Sequence, residues 1–430
     1  MNKFEKYSSY KDSGVEWLGE IPEHWEIDKL KNYCKAFGRI GFRGYNTSDL
    51  VNESEGAITI SPSNIFEYSM TFNKCSFLRW EKYYESPEIQ IEENDILIVK
   101  TGSTFGKIGM VKNLPEKATI NPQLLVLKDI KIEQRFFYYM MTSSVIQTQV
   151  NQQVIGSTIP TISESKILNF VSILPSKEEQ TKIASFLDEK TAQIDEVISQ
   201  KEKLIELLKE RKQIVINDAV TKGLDKDVEM TDSGVEWIGK IPKHWEVIKF
   251  KHLFYEKKKT HDISLNCGSI SFGKVIEKND EKIPASTKAS YQVLNKGEFL
   301  INPLNLNYDL KSLRIGLSDL DVVVSSGYII IKNKENIDKI YFNWLLHRYD
   351  ISFMKTLGAG VRQTLNFGDI AETLLVNPPL EEQIKIAEYI ENQTSKIDIA
   401  IELQQNYISK LKEYKASLID SVVTGKVKIS

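Results

Sequence analysis

Two stretches of the chain carry aliphatic residues at the spacing of a long amphipathic helix. In the first stretch the aliphatic positions follow one another at intervals of 4, 7, 4, 7, 3 and 7 residues, which keeps them on one helical face. In the second stretch, every position 203 residues later is aliphatic again. The pattern predicts two long helices within residues 175–223 and 377–430. Their predicted seams are Ile183, Leu187, Ile194, Ile198, Ile205, Leu208 and Val215, and Ile386, Ile390, Ile397, Ile401, Ile408, Leu411 and Leu418.

Each predicted helix is far longer than an ordinary globular helix. A helix of about 45 residues is about 65 Å long at about 1.5 Å per residue, whereas helices in globular domains average about 11 to 12 residues. Because a single apolar stripe needs a partner, we expect the two helices to pack antiparallel as a coiled coil around a pseudo-twofold axis. In the alternative, each helix only completes the core of its own domain. Ser176 followed by Glu179 predicts a capping box at the start of the first helix.

The chain as a whole is an internal repeat. Residues 12–26 (DSGVEWLGEIPEHWE) and 232–246 (DSGVEWIGKIPKHWE) differ at three of fifteen positions. The helix start PSKEEQTKIA at residue 175 returns as PPLEEQIKIA at residue 378. These matches divide the chain into two copies of a box, a variable segment and a long helix. The predicted boundaries are 1–26, 27–174 and 175–223 for the first copy, and 224–246, 247–376 and 377–430 for the second.

The two variable segments have the pattern of mixed α and β domains. Short apolar runs bounded by Gly, Asn and Pro are typical of strands, and one longer helical segment follows them in each case. Since the order of elements is the same, we expect an α+β chain with two similar domains whose surfaces have diverged. The predicted strands are 58–60, 96–99, 108–111 and 124–127, then 299–301, 322–324 and 328–331, and the predicted helices are about 133–150 and 337–355.

The paired boxes and the paired helix starts together resemble the specificity subunit of type I DNA restriction-modification systems. The resemblance covers essentially the whole chain. It rests on SGVEW..G.IP.HWE and P..EEQ.KIA, each present twice, and on a VTGK-like helix end. One departure is the end of the first helix, which reads TKG at 221–223 where the second reads TGK at 424–426.

The resemblance implies two target recognition domains, each reading one half of a bipartite, asymmetric sequence in double-stranded DNA, with the paired helices setting the spacer between the halves. It also implies that the chain itself is not an enzyme and carries no cofactor. Two modification subunits, which methylate adenine, would dock on the chain, and restriction subunits would join through the assembled complex. S-adenosylmethionine, ATP and magnesium are expected on those partner subunits.

Composition agrees with a globular protein of the cytoplasm. Apolar residues make up 41% of the chain and charged residues 27%, which excludes collagen-like and disordered classes. No run approaches the roughly 20 apolar residues of a membrane span, and the first residues lack the apolar core of a signal peptide. Cys34, Cys75 and Cys267 have neither disulfide nor zinc-site spacing. The net charge of -3 argues against holding nucleic acid by bulk electrostatics alone.

Three motifs suggest other chemistry. Residues 377–380 spell NPPL, close to an adenine methyltransferase signature, but they lack the aromatic residue that would stack on a flipped base, so we interpret them as a helix entry. Residues 102–108 (GSTFGKI) have the wrong spacing for a nucleotide-binding loop and form either a tight hairpin or a contact to a DNA phosphate. The His-Trp pairs at 24–25 and 244–245 predict scaffold packing instead of a metal site.

DNA reading needs a few Arg, Lys, Asn, Gln or hydroxyl side chains at base edges, and both variable segments contain such clusters. Charge gives little guidance, since residues 26–175 hold 16 basic and 16 acidic side chains and residues 246–378 hold 18 and 15. For any single candidate, an ordinary solvated loop residue is the alternative. The candidates are Arg39, Arg43, Lys100, Thr101, Ser103, Thr104, Lys107, Ser157 and Thr158, and then Asn302, Asn305, Asn307, Lys311, Arg314, Arg362, Gln363, Thr364 and Asn366.

Two functional hypotheses follow. In the first, the chain is a non-catalytic DNA-recognition and assembly subunit of a type I restriction-modification complex. In the second, it is a long-helix adaptor whose two variable domains bind protein. Only the first requires affinity for DNA that falls steeply with salt concentration. A standalone methyltransferase or nuclease is disfavoured because no cofactor or metal motif has the required spacing.

Overall fold

The computed structural model describes residues 5–66, 69–154, 160–281, 283–304, 313–354 and 364–429. The chain forms two compact units. The first contains residues 1–201 and 406–430, and the second contains residues 202–405. Each unit therefore combines one box, one variable segment and parts of both long helices.

An antiparallel four-stranded sheet forms the main sheet of the first unit. Its strands carry unbroken apolar runs such as Ile96–Val99 because both faces are covered. Ile96 and Ile98 pack into the core that contains the helices, whereas Leu97 and Val99 face the core of a second sheet. The strand order is Lys35–Gly38, Leu124–Lys128, Ile96–Val99 and Ile108–Met110.

The second sheet of the first unit has five strands. Ala118–Ile120 runs parallel to Gly56–Ile60, and the other neighbours are antiparallel. The order is Gln90–Ile91, Ala118–Ile120, Gly56–Ile60, Ser76–Arg79 and Leu50–Val51.

The second unit repeats the order of the four-stranded sheet. The two variable segments therefore share this four-stranded sheet, whereas the five-stranded sheet of the first unit is not repeated among the described residues of the second. Its strands are Phe254–Glu256, Ile329–Asn333, Phe299–Ile301 and Ile315–Leu317. Two further antiparallel pairs are Gln292–Leu294 with Val322–Val324 and Gly268–Ser271 with Lys274–Glu277.

The predicted helix at 133–150 is wrong in one respect, because the structure has two helices there, Gln134–Thr142 and Ser144–Gln152. Ser143 has an extended backbone between them, and its hydroxyl accepts a hydrogen bond from Val145 N and caps the second helix. The second unit has one helix at the equivalent place, Lys339–Ser352, capped by Asp338.

Shorter elements connect these parts. In each unit the strand that follows the box pairs with the strand that precedes the long helix. The two ends of the variable segment therefore lie side by side. These pairs are Glu26–Lys29 with Val171–Leu174 and Glu246–Lys249 with Leu374–Asn377. The boxes form the hairpins Tyr10–Asp12 with Glu20–Pro22 and Met230–Asp232 with Lys240–Pro242, and Ile65–Phe66 pairs with Ser69–Met70. The short helices are Trp80–Tyr84, Glu164–Leu168, Phe250–Leu253, Ala285–Ala289 and Phe367–Ala371.

Both long helices are present. The central helix is Lys177–Lys222, of 46 residues, and the C-terminal helix is Leu380–Val423, of 44 residues. The predicted capping box is confirmed, because Ser176 Oγ accepts from Glu179 N at 3.3 Å and Glu179 Oε2 accepts from Ser176 N at 3.2 Å. Residues 377–380 lead from a strand into the C-terminal helix, which agrees with their interpretation as a helix entry.

The two helices run antiparallel where they meet in the first unit. Asp195 binds Lys415 at 2.6 Å, and six residues further along the central helix Lys201 lies over the ring of Tyr407 at 4.7 Å. In the second unit Lys212 binds Asp398 at 2.7 Å. None of the fourteen predicted seam residues is exposed, and nine of them are buried. The fourteen residues therefore lie on packed faces of the two helices.

Candidate DNA interface

The four-stranded sheet of the first unit places polar residues along one edge, where an end of each of its four strands lies. Strands Lys35–Gly38 and Ile96–Val99 end there, and strands Ile108–Met110 and Leu124–Lys128 begin there, because neighbouring strands are antiparallel. We call this the polar edge of the unit. It brings together several candidates that are distant in sequence, namely Arg39, Lys100, Thr101, Ser103, Thr104 and Lys107.

The loop after Val99 is a tight hairpin closed by its own backbone. Gly106 N donates to Val99 O at 2.9 Å, and Lys107 N donates to Thr104 O at 3.2 Å. Gly102 and Gly106 have φ of 104° and 82°, a region that favours glycine. Because these N–H groups are already bonded, the geometry favours the hairpin interpretation over a phosphate cradle. The Lys107 and Ser103 side chains are exposed, so they offer a charge and a hydroxyl at the polar edge.

Arg39 lies at the polar edge but inside the domain. Its side chain is 6% exposed, and it donates to Ile120 O at 3.2 Å and to Thr119 Oγ1 at 2.9 Å. The Tyr45 ring covers it at 5.2 Å, and burial lowers the pKa of the guanidinium. Arg39 thus holds the end of a neighbouring strand, and it is not an exposed base-reading group in this structure. Arg43 is more exposed and bonds Glu88 at 3.3 Å.

The second unit has an equivalent polar edge, where Phe254–Glu256 and Phe299–Ile301 end and Ile315–Leu317 and Ile329–Asn333 begin. Asn302 follows the second of these strands, and its backbone N donates to Arg314 O at 2.8 Å. Asn302 is half-buried, and its side chain accepts from Leu304 N at 3.1 Å.

Arg314 is buried, like Arg39. Its side chain is 5% exposed, and its Nε donates to Asp350 Oδ1 at 2.8 Å. Its two terminal nitrogens have no hydrogen-bond partner in the part of the chain that the structure describes. Arg314 therefore joins the polar edge to the helix Lys339–Ser352 from inside the domain, so it is not the surface contact that is expected from the sequence.

The segment before the C-terminal helix reaches the same edge. Thr364 is exposed and pairs with Leu304 in an isolated bridge, as Thr161 pairs with Thr101 in the first unit. Asn366 caps the short helix Phe367–Ala371 through a capping box with Asp369, which gives it a structural role. Seven candidates lie outside the described residues: Ser157, Thr158, Asn305, Asn307, Lys311, Arg362 and Gln363.

Sequence reasoning missed polar residues at both edges. In the first unit Asn121 and Gln123 lie just before Leu124–Lys128, in an Asn-Pro-Gln turn motif that signals the place. In the second unit Lys258 and Lys259 are exposed beyond Phe254–Glu256, and Lys259 Nζ donates to Ser326 O at 2.8 Å. A run of three lysines at 257–259 marks this site in the sequence.

The repeated His-Trp pairs hold the boxes to the long helices. His24 Nε2 lies 3.0 Å from Glu179, and Trp25 Nε1 donates to the same carboxylate at 3.4 Å. His244 and Trp245 contact Glu382 in the same way, at 2.7 and 2.9 Å. Partial burial opposes the charge of Glu179, but hydrogen bonds from His24 and Ser176 hold its pKa below the usual range. The scaffold interpretation of these pairs is therefore confirmed.

Among the described parts of the chain, no three His, Cys, Asp or Glu side chains are grouped so that they could hold a metal ion. Within those same parts, no helix has the length and apolar content needed to cross a bilayer.

Comparison with known proteins gives consistent matches. The family model described as "Type I restriction modification DNA specificity domain" matches residues 23–207 and 242–407. A putative type I restriction enzyme MjaX specificity subunit of Methanocaldococcus jannaschii is 24% identical over 99% of this chain and 98% of its own length. The EcoDI specificity subunit of Escherichia coli is 23% identical over 74% of this chain and 75% of its own length.

A solved structure from a study of assembly and conformational transition of the type I R-M system superposes with a TM-score of 0.64. It covers 94% of this chain and 98% of its own length at 15% identity, which shows a shared fold. The family model matches well over half of the chain, in two copies that each contain one variable segment. The chain therefore belongs to the family of type I restriction-modification DNA specificity subunits.

Proposed function

We propose that each unit reads one half of a bipartite, asymmetric target in double-stranded DNA with the polar edge of its four-stranded sheet. One observation carries this assignment: the same strand order brings polar segments to the same edge in both units, while the side chains there differ. Residues 100–107 connect Ile96–Val99 to Ile108–Met110 in the first unit, and residues 302–314 connect Phe299–Ile301 to Ile315–Leu317 in the second. Connections of different length and composition on a common sheet suit two different half-sites.

The exposed candidates carry the contact, and the buried ones support it. Lys107 and Ser103 in the first unit, and Lys258 and Thr364 in the second, are exposed at their edges. Arg39 and Arg314 hold strand ends from inside. A few well-placed side chains are enough to discriminate bases, so a net charge of -3 is compatible with this role.

The long helices provide the assembly surface for partner subunits. Large apolar side chains remain exposed on them in each unit, and exposed apolar surface is typical of protein contacts. Because each unit has such side chains of its own, we propose two modification subunits, with restriction subunits joining the assembled complex. The exposed residues are Val197, Tyr407 and Tyr414 in the first unit and Leu204, Leu207, Ile214, Ile384, Tyr389, Ile399 and Leu403 in the second.

In this proposal the chain recognises DNA and does not itself methylate or cut it. The relatives are named as specificity subunits of restriction enzymes, a role distinct from either reaction. S-adenosylmethionine, ATP and magnesium then belong to the partner subunits, and the complex meets its DNA in the cytoplasm. The lengths of the two long helices set the unread spacer between the half-sites.

The test is an exchange of residues 27–174 for the corresponding segment of a relative with another target. The complex of each chain with its modification subunit is used to select duplexes from a random-sequence pool. We expect one half of the selected sequence to change and the other half to stay. Simultaneous change of both halves would contradict two independent readers, and the absence of any selected sequence would favour the protein-binding adaptor.

A further inference from the structure

Residues 121–124 form a rigid turn at the polar edge of the first unit. Leu124 N donates to Asn121 O at 3.2 Å, with Pro122 at the second position, which is typical of a β-turn. Asn121 Oδ1 accepts from Gln123 N at 2.9 Å, and Asn121 N donates to Ile60 O at 2.9 Å. Arg39 bonds the carbonyl of Ile120 just before the turn. The backbone that carries Gln123 is therefore fixed on both sides.

The side-chain amide of Gln123 is also oriented. Asn121 Nδ2 donates to Gln123 Oε1 at 3.2 Å, which turns Oε1 toward Asn121. Gln123 is exposed, and its Nε2 makes no hydrogen bond with any residue that the structure describes. A Cβ at Gly102 would lie 3.2 Å from this Nε2, so the lack of a side chain there leaves room for the amide. Gln123 thus presents a free donor next to an acceptor with a spare lone pair.

This pattern matches one base edge in the major groove. Adenine offers the N6 amino group as a donor and N7 as an acceptor, and a Gln amide bonds both at once. We propose that Gln123 reads an adenine in the half-site of the first unit and that Asn121 is a positioning residue that fixes the direction of the amide. This inference rests on the proposed function, since it assigns one base to one side chain of the same edge.

The second unit has no matching amide pair at the equivalent described positions. The strand register there places Ser325 and Gly327 where the first unit has Asn121 and Gln123. Neither residue has an amide side chain that could contact both adenine groups. An amide contact to adenine from this turn position therefore belongs to the half-site of the first unit.

The experiment selects duplexes from a random-sequence pool with the complex of the chain and its modification subunit. Gln123→Ala should reduce the preference for adenine at one position of one half-site by about 10- to 100-fold. Gln123→Glu should shift that position toward cytosine, because a carboxylate accepts from the cytosine amino group. Asn121→Asp keeps the oxygen that accepts from Gln123 N in the turn and removes only the Nδ2 donor to Gln123 Oε1. It should weaken the adenine preference severalfold without changing the favoured base, an effect that a purely structural role in the turn would not produce.

Gln134→Ala is the matched control. Its amide donates to Asn94 O at 2.9 Å, at the opposite edge of the same sheet, so the selected sequence should be that of the wild type. If Gln123→Ala and Gln123→Glu select the wild-type sequence as the control does, the inference is overturned and the proposed function stands. If the wild-type complex selects no sequence, the proposed function itself fails. Melting temperatures of all variants are measured first, and the exposed position of Gln123 predicts values near that of the wild type.

Discussion

Asp350→Ala is expected to destabilise the polar edge of the second unit and to leave the first unit intact. The Asp350 side chain is fully buried, and it accepts hydrogen bonds from the Arg314 backbone N at 2.6 Å and from Arg314 Nε at 2.8 Å. Removing the carboxylate leaves a guanidinium that is 5% exposed without its counter-charge. Breaking one partner of a buried ion pair costs about 3 to 5 kcal/mol.

The expected cost can be measured as local opening. At about 1.4 kcal/mol for each tenfold change, it corresponds to two to nearly four orders of magnitude in the opening equilibrium. Hydrogen exchange followed by mass spectrometry should therefore be faster in peptides that cover Ile315–Leu317 and Lys339–Ser352. Peptides that cover Ile96–Val99 should keep their wild-type rates. In the assembled complex, only the half-site read by the second unit should lose its sequence preference.

Two further variants separate the ion pair from other effects. Lys107 precedes Ile108–Met110 as Arg314 precedes Ile315–Leu317, but Lys107 is exposed, so Lys107→Met should not change exchange in the first unit. Combining Asp350→Leu with Arg314→Met should restore much of the protection, because two apolar groups often replace a buried pair without loss. Wild-type exchange in Asp350→Ala would refute the assigned role of the pair.

Three other predictions concern the frame, the phosphate contact and the spacer. The pKa of Glu179 is lowered on folding. The ionised Glu179 side chain therefore contributes its full stabilisation above the unfolded-state pKa of about 4.3. That stabilisation is lost as the pH falls through the lower folded-state pKa. The difference in melting temperature between wild type and Glu179→Gln should therefore shrink in acid, and Glu178→Gln, at an exposed position, serves as control. Lys107→Ala should weaken DNA binding about equally for all sequences and reduce the slope of log affinity against log salt by about 0.9, whereas Lys112→Ala, at the opposite edge, should not. Inserting four residues near Val215 to Thr221 adds about 6 Å to the central helix. The unread spacer should then be one or two base pairs longer, as measured by mapping the methylated sites. An unchanged spacer in an active complex would contradict the role of the helices in setting the spacer.

The frame of the molecule could be predicted because its signals are periodic and duplicated. The seam from Ile183 to Val215 has a helical period, and the same period returns 203 residues later. The His-Trp pairs and the paired EEQ starts are conspicuous for the same reason, and the structure shows that they contact each other through Glu179 and Glu382. The break at Ser143 escaped prediction because a single capping serine does not interrupt the apolar pattern around it.

The polar edge was predictable only in part. Arg39 and Arg314 look like surface residues in the sequence because each lies at the end of a strand, next to a polar segment. Arg39, however, bonds Ile120, which is 81 residues away, and Arg314 bonds Asp350, which is 36 residues away. A pairing at that separation leaves no local trace in the sequence. Gln123 was missed because its position at the polar edge depends on which strands become neighbours in the sheet. The residues of the turn do not indicate that strand order.

The repeated sheet order explains how one chain can recognise two unlike sequences. The backbone positions that form the polar edge are set by strand order and by buried partners such as Arg39 and Asp350, which do not need to touch DNA. The exposed residues between those strands are then free to differ, as Gln123 differs from Gly327, without a cost to the core. A change at an exposed edge position should alter the bases that are read, whereas a change in the buried supports should alter how firmly the whole edge is held.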